Sequence, residues 1–354
     1  MKALVLAGGA GTRLRPFSYS MPKQLMPIAN KPVLVHIVET LREIAVKQIG
    51  IVVGTHADEI RAVLGDGSAF NVEISYIVQD APRGLAHCVQ IARGFLGDDD
   101  FVMYLGDNIL PEGVAEVAEE FHRDRPAAQV VLHKVPDPQA FGVAEVDPSG
   151  WVTALVEKPK EPRSDLALIG VYFFTPAIHQ AVAAIKPSAR GELEITDAIQ
   201  WLVSSGWKVR GHVYSGFWKD TGNVEDLLEC NREVLDGLRS SIAGEFDRST
   251  QFSGPVVLEA GAKVTRSRIV GPAIIGAGSV VEDSYVGPHT TVGRDCVLRQ
   301  TSIDYSILLS GAKIHQVRAV YGSIIGRSAI VSASPGTGRH RLVIGDHTSL
   351  EVAG

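Results

Sequence analysis

A glycine-rich loop followed by basic residues could bind phosphate near the start of the chain. The apolar run Ala3–Ala7 leads directly into Gly8-Gly9-Ala10-Gly11-Thr12-Arg13. Glycine lets backbone N–H groups turn toward an anion, and an arginine guanidinium matches the spacing of phosphate oxygens. Lys23 follows between Pro22 and Pro27, which restrict the backbone around it. These residue types predict a site for a phosphorylated ligand.

The spacing of this loop excludes two common phosphate-binding motifs. A P-loop counted from Gly8 would need glycine where Arg13 stands, and a dinucleotide fingerprint would need a glycine at Leu14. The alternative is an ordinary tight turn. Three glycines within four positions, with an arginine behind them, favour the phosphate site.

Two aspartates far apart in the chain could hold a metal ion. Asp107 follows the apolar run Phe101–Leu105, and Asp220 precedes Thr221-Gly222. Carboxylates suit Mg²⁺, a hard cation that also takes phosphate oxygens. On the residues alone, a turn residue and a helix N-cap are equally good interpretations of these two positions.

The elements around these residues alternate between strands and helices. The runs Leu4–Leu6, Ile49–Val53 and Phe101–Leu105 predict strands, and Pro32–Ala45 and Leu85–Phe95 have helical spacing. Such alternation predicts an α/β class with a Rossmann-like, mixed, mostly parallel sheet, covering helices, and ligands beyond the carboxyl ends of the strands. Shorter apolar runs joined by turns farther along the chain predict an antiparallel portion.

Beyond residue 250 the apolar residues recur every six positions, at Ile274, Val280, Val286, Val292 and Leu298. A six-residue repeat with glycines at its corners predicts a parallel β-helix, and ordinary hairpins of an all-β domain are the alternative. We therefore expect a catalytic domain at 1–236, a linker at 237–250 and a β-helix domain at 251–354. A loose insertion is expected at Ser332–Gly338.

Composition limits the classes of partner. In 354 residues, 34 basic and 40 acidic side chains give a net charge of −6, which argues against nucleic-acid or anionic-membrane partners. No apolar run approaches the roughly 20 residues of a membrane-spanning helix, and no signal peptide is recognisable. Three widely spaced cysteines predict buried, reduced thiols in a cytoplasmic protein.

Six motifs in order give the chain a resemblance to a known family. They are the glycine loop with Pro22–Pro27, Leu105–Asn108, Phe141–Val143, Val156–Pro159, Pro187–Asp197 and Trp218–Gly222. Together they resemble the sugar-1-phosphate nucleotidylyltransferases over nearly all of residues 1–236. Within that family, the Lys-Gln-Leu and Glu-Leu-Glu-Ile-Thr-Asp strings are most similar to the glucose-1-phosphate thymidylyltransferases, and the coils resemble the left-handed β-helix of its longer members.

The resemblance implies that glucose 1-phosphate attacks dTTP, giving dTDP-glucose and pyrophosphate. An ionised sugar phosphate is already a nucleophile, so such an enzyme needs positioning and charge neutralisation rather than a general base. The implied cofactor is Mg²⁺, held by Asp107 and Asp220. Arg13 would face the pyrophosphate and Lys23 the α-phosphate, while Lys158 and Arg190 would hold the sugar phosphate.

The resemblance also implies the residues that bind the substrates. Gly8, Gln79 and Gly84 would contact the nucleobase, with Leu85 packed against its ring, and Gly142, Glu157 and Leu168 would line the glucose. The full implied set is Leu6, Gly8, Gly9, Gly11, Thr12, Gln79, Gly84, Leu85, Asn108, Gly142, Glu157, Leu168, Tyr172 and Trp218. Leu168 replaces the valine usual in the family, and Pro22 stands where serine is common. Both departures affect specificity rather than charge.

Three alternatives stay open at this point. The first is the same chemistry with UTP or another sugar 1-phosphate, because one methyl group in a pocket discriminates by only about 1–3 kcal/mol. The second is a non-catalytic protein that binds nucleotide sugars, and the third is an acyltransferase that uses His289 or His315 of the coils. Under every alternative, the exposed ends and flat faces of the coils favour packing between subunits, so we expect a homo-oligomer.

Overall fold

The structure is a computed structural model that describes residues 1–9, 11–334 and 341–353. The chain forms two compact units. The first contains Met1–Gly9 and Leu34–Trp218, and the second contains Ala10–Val33 and Lys219–Gly354.

A nine-stranded mixed sheet forms the core of the first unit. Its strands are β1 (Lys2–Leu6), β2 (Gln48–Val53), β3 (Glu73–Val78), β4 (Phe101–Leu105), β5 (Ala128–Lys134), β6 (Gly142–Val146), β7 (Val152–Glu157), β8 (Leu166–Phe174) and β9 (Val209–Val213). Their order is β7-β6-β8-β4-β1-β2-β3, and β5 pairs with β8 and β9. Strands β4, β1, β2 and β3 are parallel, whereas β8 is antiparallel to β4, β5 and β6. The predicted α/β class with an antiparallel portion is confirmed.

The helices of the chain are α1 (Val33–Glu43), α2 (Ala57–Leu64), α3 (Leu85–Ile91), α4 (Arg93–Leu96), α5 (Ala115–Asp124), α6 (Ala177–Ala184), α7 (Ile195–Ser204) and α8 (Val224–Asp236). Short 3₁₀ helices occupy Thr12–Leu14, Phe17–Tyr19, Lys23–Leu25, Ser68–Phe70 and Pro138–Ala140. None of the helices in the described residues is long and apolar enough to cross a membrane.

Burial explains why β8 is an unbroken apolar run. All nine of its residues are buried, as expected for a strand covered on both faces. Helix α5 covers the sheet with an apolar stripe in which Val117, Ala118 and Phe121 are buried. The Phe121 ring lies 5.5 Å from the ring of Phe173 in β8, so α5 packs directly on the central strand.

The coils of the second unit form three parallel sheets, the architecture of a left-handed β-helix. The first contains Ser241–Ile242, Val256–Leu258, Ala273–Ile275, Thr290–Val292, Ile307–Leu308, Ile324–Ile325 and Val343–Ile344; the second contains Glu245–Phe246, Lys263–Thr265, Val280–Glu282, Val297–Arg299, Lys313–His315, Ile330–Ser334 and Ser349–Ala353; the third contains Gln251–Ser253, Arg268–Val270, Tyr285–Val286, Ser302–Asp304 and Val320–Tyr321. The predicted β-helix is confirmed.

Residues of successive coils stack in register at the centre of the β-helix. Val264, Val281, Leu298 and Ile314 are aligned by strand pairing and fully buried, and each contributes about 1.5–3 kcal/mol by its burial. The first three are seventeen residues apart. Since three hexads would need eighteen, one side of the coil has five residues. The stacked positions are therefore Ile275 and Val281. The sequence assignments of Ile274 and of Val280, which is half-buried, are each wrong by one residue.

Pairing of the coil strands begins earlier than the sequence suggests. Ser241–Ile242 and Glu245–Phe246 already pair with the next coil, inside the segment 237–250 predicted as a linker. Their side chains are exposed, so they carry no apolar repeat by which the coil could be recognised. At the predicted insertion, Ser332–Ser334 end a strand, and residues 335–338 lie outside the described residues.

Candidate active site

Three residues predicted to line the sugar lie together in the first unit. Glu157 ends β7 and pairs in register with Gly142, the first residue of β6. A Cβ at Gly142 would lie 3.2 Å from Glu157 Oε2 and 3.5 Å from Leu168 Cδ1, so glycine keeps this space open. Thr196 Oγ1 donates to Glu157 Oε2 at 2.7 Å and orients the carboxylate. The arrangement places carboxylate oxygens beside a glycine and a leucine.

Arg190 joins the same cluster through three carboxylates. Its Nη2 lies 3.1 Å from Glu157 Oε1, 2.9 Å from Glu194 Oε1 and 3.8 Å from Glu192 Oε2. The Glu194 side chain is 6% exposed and also accepts from Ser188 Oγ at 2.8 Å. A buried carboxylate with these donors fixes the guanidinium, which is 42% exposed. Arg190 can therefore present its remaining donors to an anion.

A further carboxyl beside this cluster, that of Asp197, has a shifted pKa. Burial, with the charge of Glu194 adding to it, raises the pKa of Asp197 above its ordinary value, although Arg190 opposes the shift.

Lys158 follows Glu157 with a φ of 44°, and its N–H donates to the carbonyl of Phe141 at 3.0 Å. A lysine whose backbone lies in the left-handed region is strained, and such strain concentrates at functional sites.

Gln79, predicted to contact the nucleobase, is oriented by a histidine that the sequence interpretation missed. Gln79 Nε2 lies 3.1 Å from His87 Nδ1. Burial raises the pKa of the nearby Cys88 thiol, and the Gln79 side chain partly opposes that rise. Its Oε1 would lie 3.3 Å from a Cβ at Gly8, so the amide oxygen faces the glycine at the end of β1. The helical spacing of Leu85–Phe95 could have indicated that His87 points inward, but not which side chain it contacts.

Gly84 lies where the start of α3 meets the segment that carries Arg190. Its φ is 97°, and a Cβ there would lie 2.4 Å from the carbonyl oxygen of Leu193. Ala86 N donates to that carbonyl at 3.0 Å, and Leu193 N donates to Arg83 O at 2.8 Å. Only glycine allows this close approach, which ties the start of α3 to the segment that carries Arg190. Leu85, the first residue of α3, packs against the core.

Asp107 and Asn108 form a hydrogen-bonded group with Trp218. Asn108 Nδ2 donates to Asp107 Oδ1 at 2.8 Å, and Trp218 Nε1 donates to Asn108 Oδ1 at 2.6 Å. The Trp218 ring packs against His133 and Phe141 at centroid distances of 5.8 and 5.6 Å. Asn108 therefore links the carboxylate that follows β4 to the packed rings of Trp218, His133 and Phe141.

Three predicted substrate contacts of this unit, Leu6, Leu168 and Tyr172, are core residues. Tyr172 in β8 is 4% exposed, its ring stacks on Phe174 at 6.0 Å, and burial raises the pKa of its hydroxyl. Leu6, at the end of β1, is 8% exposed. Gly9, by contrast, is exposed. The contact of these residues with substrate stays a prediction.

The second unit brings together the cations of the glycine loop. A Cβ at Gly11 would lie 3.1 Å from Lys23 Cβ, so the lysine stem packs on this glycine, whose φ is 62°. Arg13 Nη2 lies 4.0 Å from Asp220 Oδ2, and a Cβ at Gly222 would lie within 3.0 Å of both side chains. Thr12 and Arg13 are exposed at the 3₁₀ helix Thr12–Leu14, so the ion pair is weak. The arrangement leaves the arginine available for an anion.

The carboxylates of Asp107 and Asp220 have the donor chemistry that Mg²⁺ requires. Asp107 belongs to the first unit and Asp220 to the second. Within the described residues, no three His, Cys, Asp or Glu side chains are grouped so that they could hold a metal. A partial set of one or two carboxylates, completed by substrate phosphates and water, is the usual environment of Mg²⁺ in such enzymes.

The three cysteines are free and buried, as predicted. Burial raises the pKa of Cys88 to about 12 and that of Cys296 to about 11, and it raises the pKa of Cys230 as well. Thiols this weakly acidic are poor nucleophiles at neutral pH.

Exposed cations, carboxylates and amides of the kind found in each unit are the groups with which enzymes bind phosphorylated substrates. The chain belongs to the nucleotidyl transferase family, whose model matches residues 2–237. The family resemblance that the motifs carry is thereby confirmed.

Close relatives match the chain over its whole length. It is 53% identical to the glucose-1-phosphate thymidylyltransferase of Streptomyces griseus over 354 residues, covering all of both chains. It is 52% identical to the enzyme of the same name from Streptomyces antibioticus, covering 99% of each. Among solved structures, a putative glucose-1-phosphate thymidylyltransferase from Bacillus anthracis in complex with a sucrose aligns with a TM-score of 0.62 and 36% identity, covering 66% of this chain and 95% of that one.

Proposed function

We propose that this protein transfers a thymidylyl group from dTTP to glucose 1-phosphate. A phosphate oxygen of the sugar forms a bond to the α-phosphorus of dTTP, the bond between that phosphorus and the β-phosphate bridge breaks, and pyrophosphate leaves. The observation that carries the proposal is the cluster of Gly142, Glu157, Thr196 and Arg190, which combines acceptors for sugar hydroxyls with a permanent cation for the sugar phosphate. The two Streptomyces relatives support the choice of substrates.

Glu157 would accept hydrogen bonds from the glucose hydroxyls. Thr196 holds one carboxylate oxygen and Arg190 the other, so the orientation of the group is set before substrate binds. Preorganised acceptors of this kind lower the entropic cost of binding a polyol. Leu168 and the open space at Gly142 would admit the sugar ring.

Gln79 would recognise the nucleobase. With its amide nitrogen directed to His87, the oxygen is directed toward Gly8, where it can accept from the imide N–H of thymine. Uracil carries the same imide edge, so this contact selects a pyrimidine imide over other bases without separating dTTP from UTP.

Four cations would neutralise the phosphates. Arg13 would bind the leaving pyrophosphate, Lys23 the α-phosphate, and Lys158 with Arg190 the sugar phosphate. Asp107 and Asp220 would hold Mg²⁺, which when bound supplies Lewis-acid stabilisation of phosphate charge. No general base is required, because the attacking oxygen is already ionised at neutral pH.

The test is pyrophosphate release by the purified full chain with Mg²⁺ and a panel of nucleoside triphosphates and sugar 1-phosphates. We expect dTTP with glucose 1-phosphate to give the highest kcat/KM. A preference for UTP or another sugar would correct the substrates but leave the chemistry, and no release with any pair would refute the enzyme in favour of a nucleotide-sugar-binding protein. Homo-oligomerisation and a cytoplasmic location stay predictions.

The family match over residues 2–237 favours nucleotidyl transfer over the acyltransferase alternative, which would use His289 or His315 of the coils. His289 Nε2 lies 2.8 Å from Asp236 Oδ1 at the end of α8. Burial lowers the pKa of His315, with help from Arg299 and Lys313 on neighbouring strand positions. Acetyl-CoA turnover in the presence of sugar phosphates would revive this alternative.

A further inference from the structure

The segment that carries Lys23 is held by the coils on its N-terminal side. Ser20 Oγ donates to Asp346 Oδ2 at 2.7 Å, and the carbonyl of Ser20 accepts from Arg327 Nη2 at 2.8 Å. Arg327 also donates through Nε to Asp346 Oδ2 at 2.8 Å and through its backbone N–H to Oδ1 at 2.7 Å. These three residues form a closed network between the loop and two successive turns of the β-helix.

The same segment is held on its C-terminal side at a hairpin. Pro27–Ile28 and Lys31–Pro32 pair across a two-residue turn, Ala29-Asn30, whose φ values are 49° and 60°. Two consecutive positive φ values define a turn that favours Asn and Gly and disfavours alanine. Ala29 N donates to Asn231 Oδ1 at 2.9 Å, and Asn30 Nδ2 donates to the carbonyl of Val292 at 2.8 Å. Contacts outside the hairpin thus stabilise its strained turn.

Asn231 of α8 connects the hairpin to the coil through one buried amide. Its Oδ1 also accepts from Thr291 Oγ1 at 3.3 Å, and its Nδ2 donates to the carbonyl of His289 at 3.3 Å. The residue is fully buried, so each of these bonds replaces a bond to water. Helix α8 begins directly after the Asp220–Gly222 turn, with Asn223 as its N-cap. The helix therefore joins the Asp220 turn, the hairpin and the coils.

We propose that the β-helix positions the phosphate-binding cations of the second unit. Ser20 and Asn30, on either side of Lys23, are positioning residues, and the coil residues Arg327 and Val292 are their fixed partners. The lysine stem in turn packs against Gly11 of the glycine loop. This proposal rests on the proposed function, because it assumes that Lys23 acts on the α-phosphate. It assigns the β-helix a role in catalysis through hydrogen bonds within one unit.

The test compares two single variants, Arg327→Gln and Asn30→Asp, with their double variant. Arg327→Gln removes the charged donor to Ser20, and Asn30→Asp retains a residue that tolerates positive φ but cannot donate to Val292. Arg266→Gln is the matched control, because Arg266 forms its ion pairs with Glu282 and Asp283 of the coils. Arg327 is 42% exposed, so its variant tests the loop contact without emptying the core.

We expect kcat/KM for dTTP to fall by about tenfold in each single variant and up to about 100-fold in the double variant, because displacing a reacting group by about 1 Å can cost that much. The KM for glucose 1-phosphate should change less than about twofold, since the sugar contacts lie in the first unit. Hydrogen exchange at Lys23–Leu25 should become faster in these variants only. Circular dichroism at the assay temperature should show these variants as fully folded as the Arg266→Gln control, which separates positioning from unfolding.

The outcomes distinguish this proposal from the proposed function. Positioning by the coils would be refuted if the unmodified protein is active, Lys23→Ala is inactive and the double variant is fully active. That result would leave the proposed function intact. Faster exchange at Lys23–Leu25 without loss of turnover would refute positioning by the coils in the same way. Failure of the unmodified protein to release pyrophosphate with any substrate pair would refute both.

Discussion

Replacing Gly142 by alanine tests the proposed sugar site most directly. The added methyl would lie 2.9 Å from Thr196 Oγ1 and 3.2 Å from Glu157 Oε2. Real Cβ atoms essentially never lie within 3.0 Å of another heavy atom, so Thr196 Oγ1 must shift, which weakens or breaks its 2.7 Å hydrogen bond to Glu157 Oε2. A hydrogen bond to a charged group contributes about 1.5–3 kcal/mol, which corresponds to about 10–150-fold in an equilibrium constant.

We therefore expect Gly142→Ala to raise the KM for glucose 1-phosphate by about 10–150-fold while leaving the KM for dTTP within about twofold. Steady-state kinetics with each substrate varied in turn would measure both. Gly94→Ala is the matched control, because a Cβ there would meet nothing within 4 Å. An unchanged KM for the sugar, or equal losses for both substrates, would show that Gly142 and Glu157 do not line a sugar site.

Three further predictions concern the metal, the nucleobase and the coils. Asp107→Asn should lower kcat by more than about 100-fold at saturating Mg²⁺ with an unchanged circular dichroism spectrum; near-normal turnover would exclude it as a ligand. His87→Leu should raise the KM for dTTP by about tenfold, since the Gln79 amide loses its acceptor, whereas His87→Asn retains an acceptor and should stay near normal; equal effects would contradict this. The Thr250 hydroxyl and its neighbours lower the pKa of Asp247 to about 2 from 3.8. Because the folded-state pKa is lowered, the ionised carboxylate stabilises the fold at pH values above its ordinary pKa. This contribution disappears as the pH falls from about 4 to about 2. The loss in Tm caused by Asp247→Asn should thus be largest above pH 4 and vanish near pH 2 in thermal melts, and a pH-independent loss would be contrary to it.

Much of the fold could be predicted because periodicity reports directly on burial. The alternation of strands and helices predicted the sheet, and the hexad repeat predicted the coils. The repeat misidentified Ile274 and Val280 because a five-residue side shifts the phase by one. Exposed strands such as Glu245–Phe246 leave no apolar pattern. Local sequence patterns record which residues are buried, but they do not record how many residues a corner contains.

The partners of the candidate site residues were harder to predict. Glu157 and Arg190 could be chosen from the motifs that carry them. Their partners Thr196 and Glu194 stand in the same motif as Arg190, yet nothing in the string shows that Glu194 is nearly buried or that Thr196 reaches across to β7. Side-chain hydrogen bonds between distant segments depend on the packing of the whole unit, so they appear only in the structure.

The charge of the proposed sugar site around Arg190 also explains why further cations would be needed. Arg190 lies within 4 Å of the carboxylates of Glu157, Glu192 and Glu194, so the group carries three negative charges against one positive charge. A sugar phosphate that approaches this cluster is attracted by the exposed face of the guanidinium and repelled by the carboxylates behind it. The carboxylates orient Arg190, but they also cancel its charge beyond a short distance. Binding of a phosphate dianion beside a triphosphate therefore requires additional positive charge, which Lys158 and a divalent metal would supply.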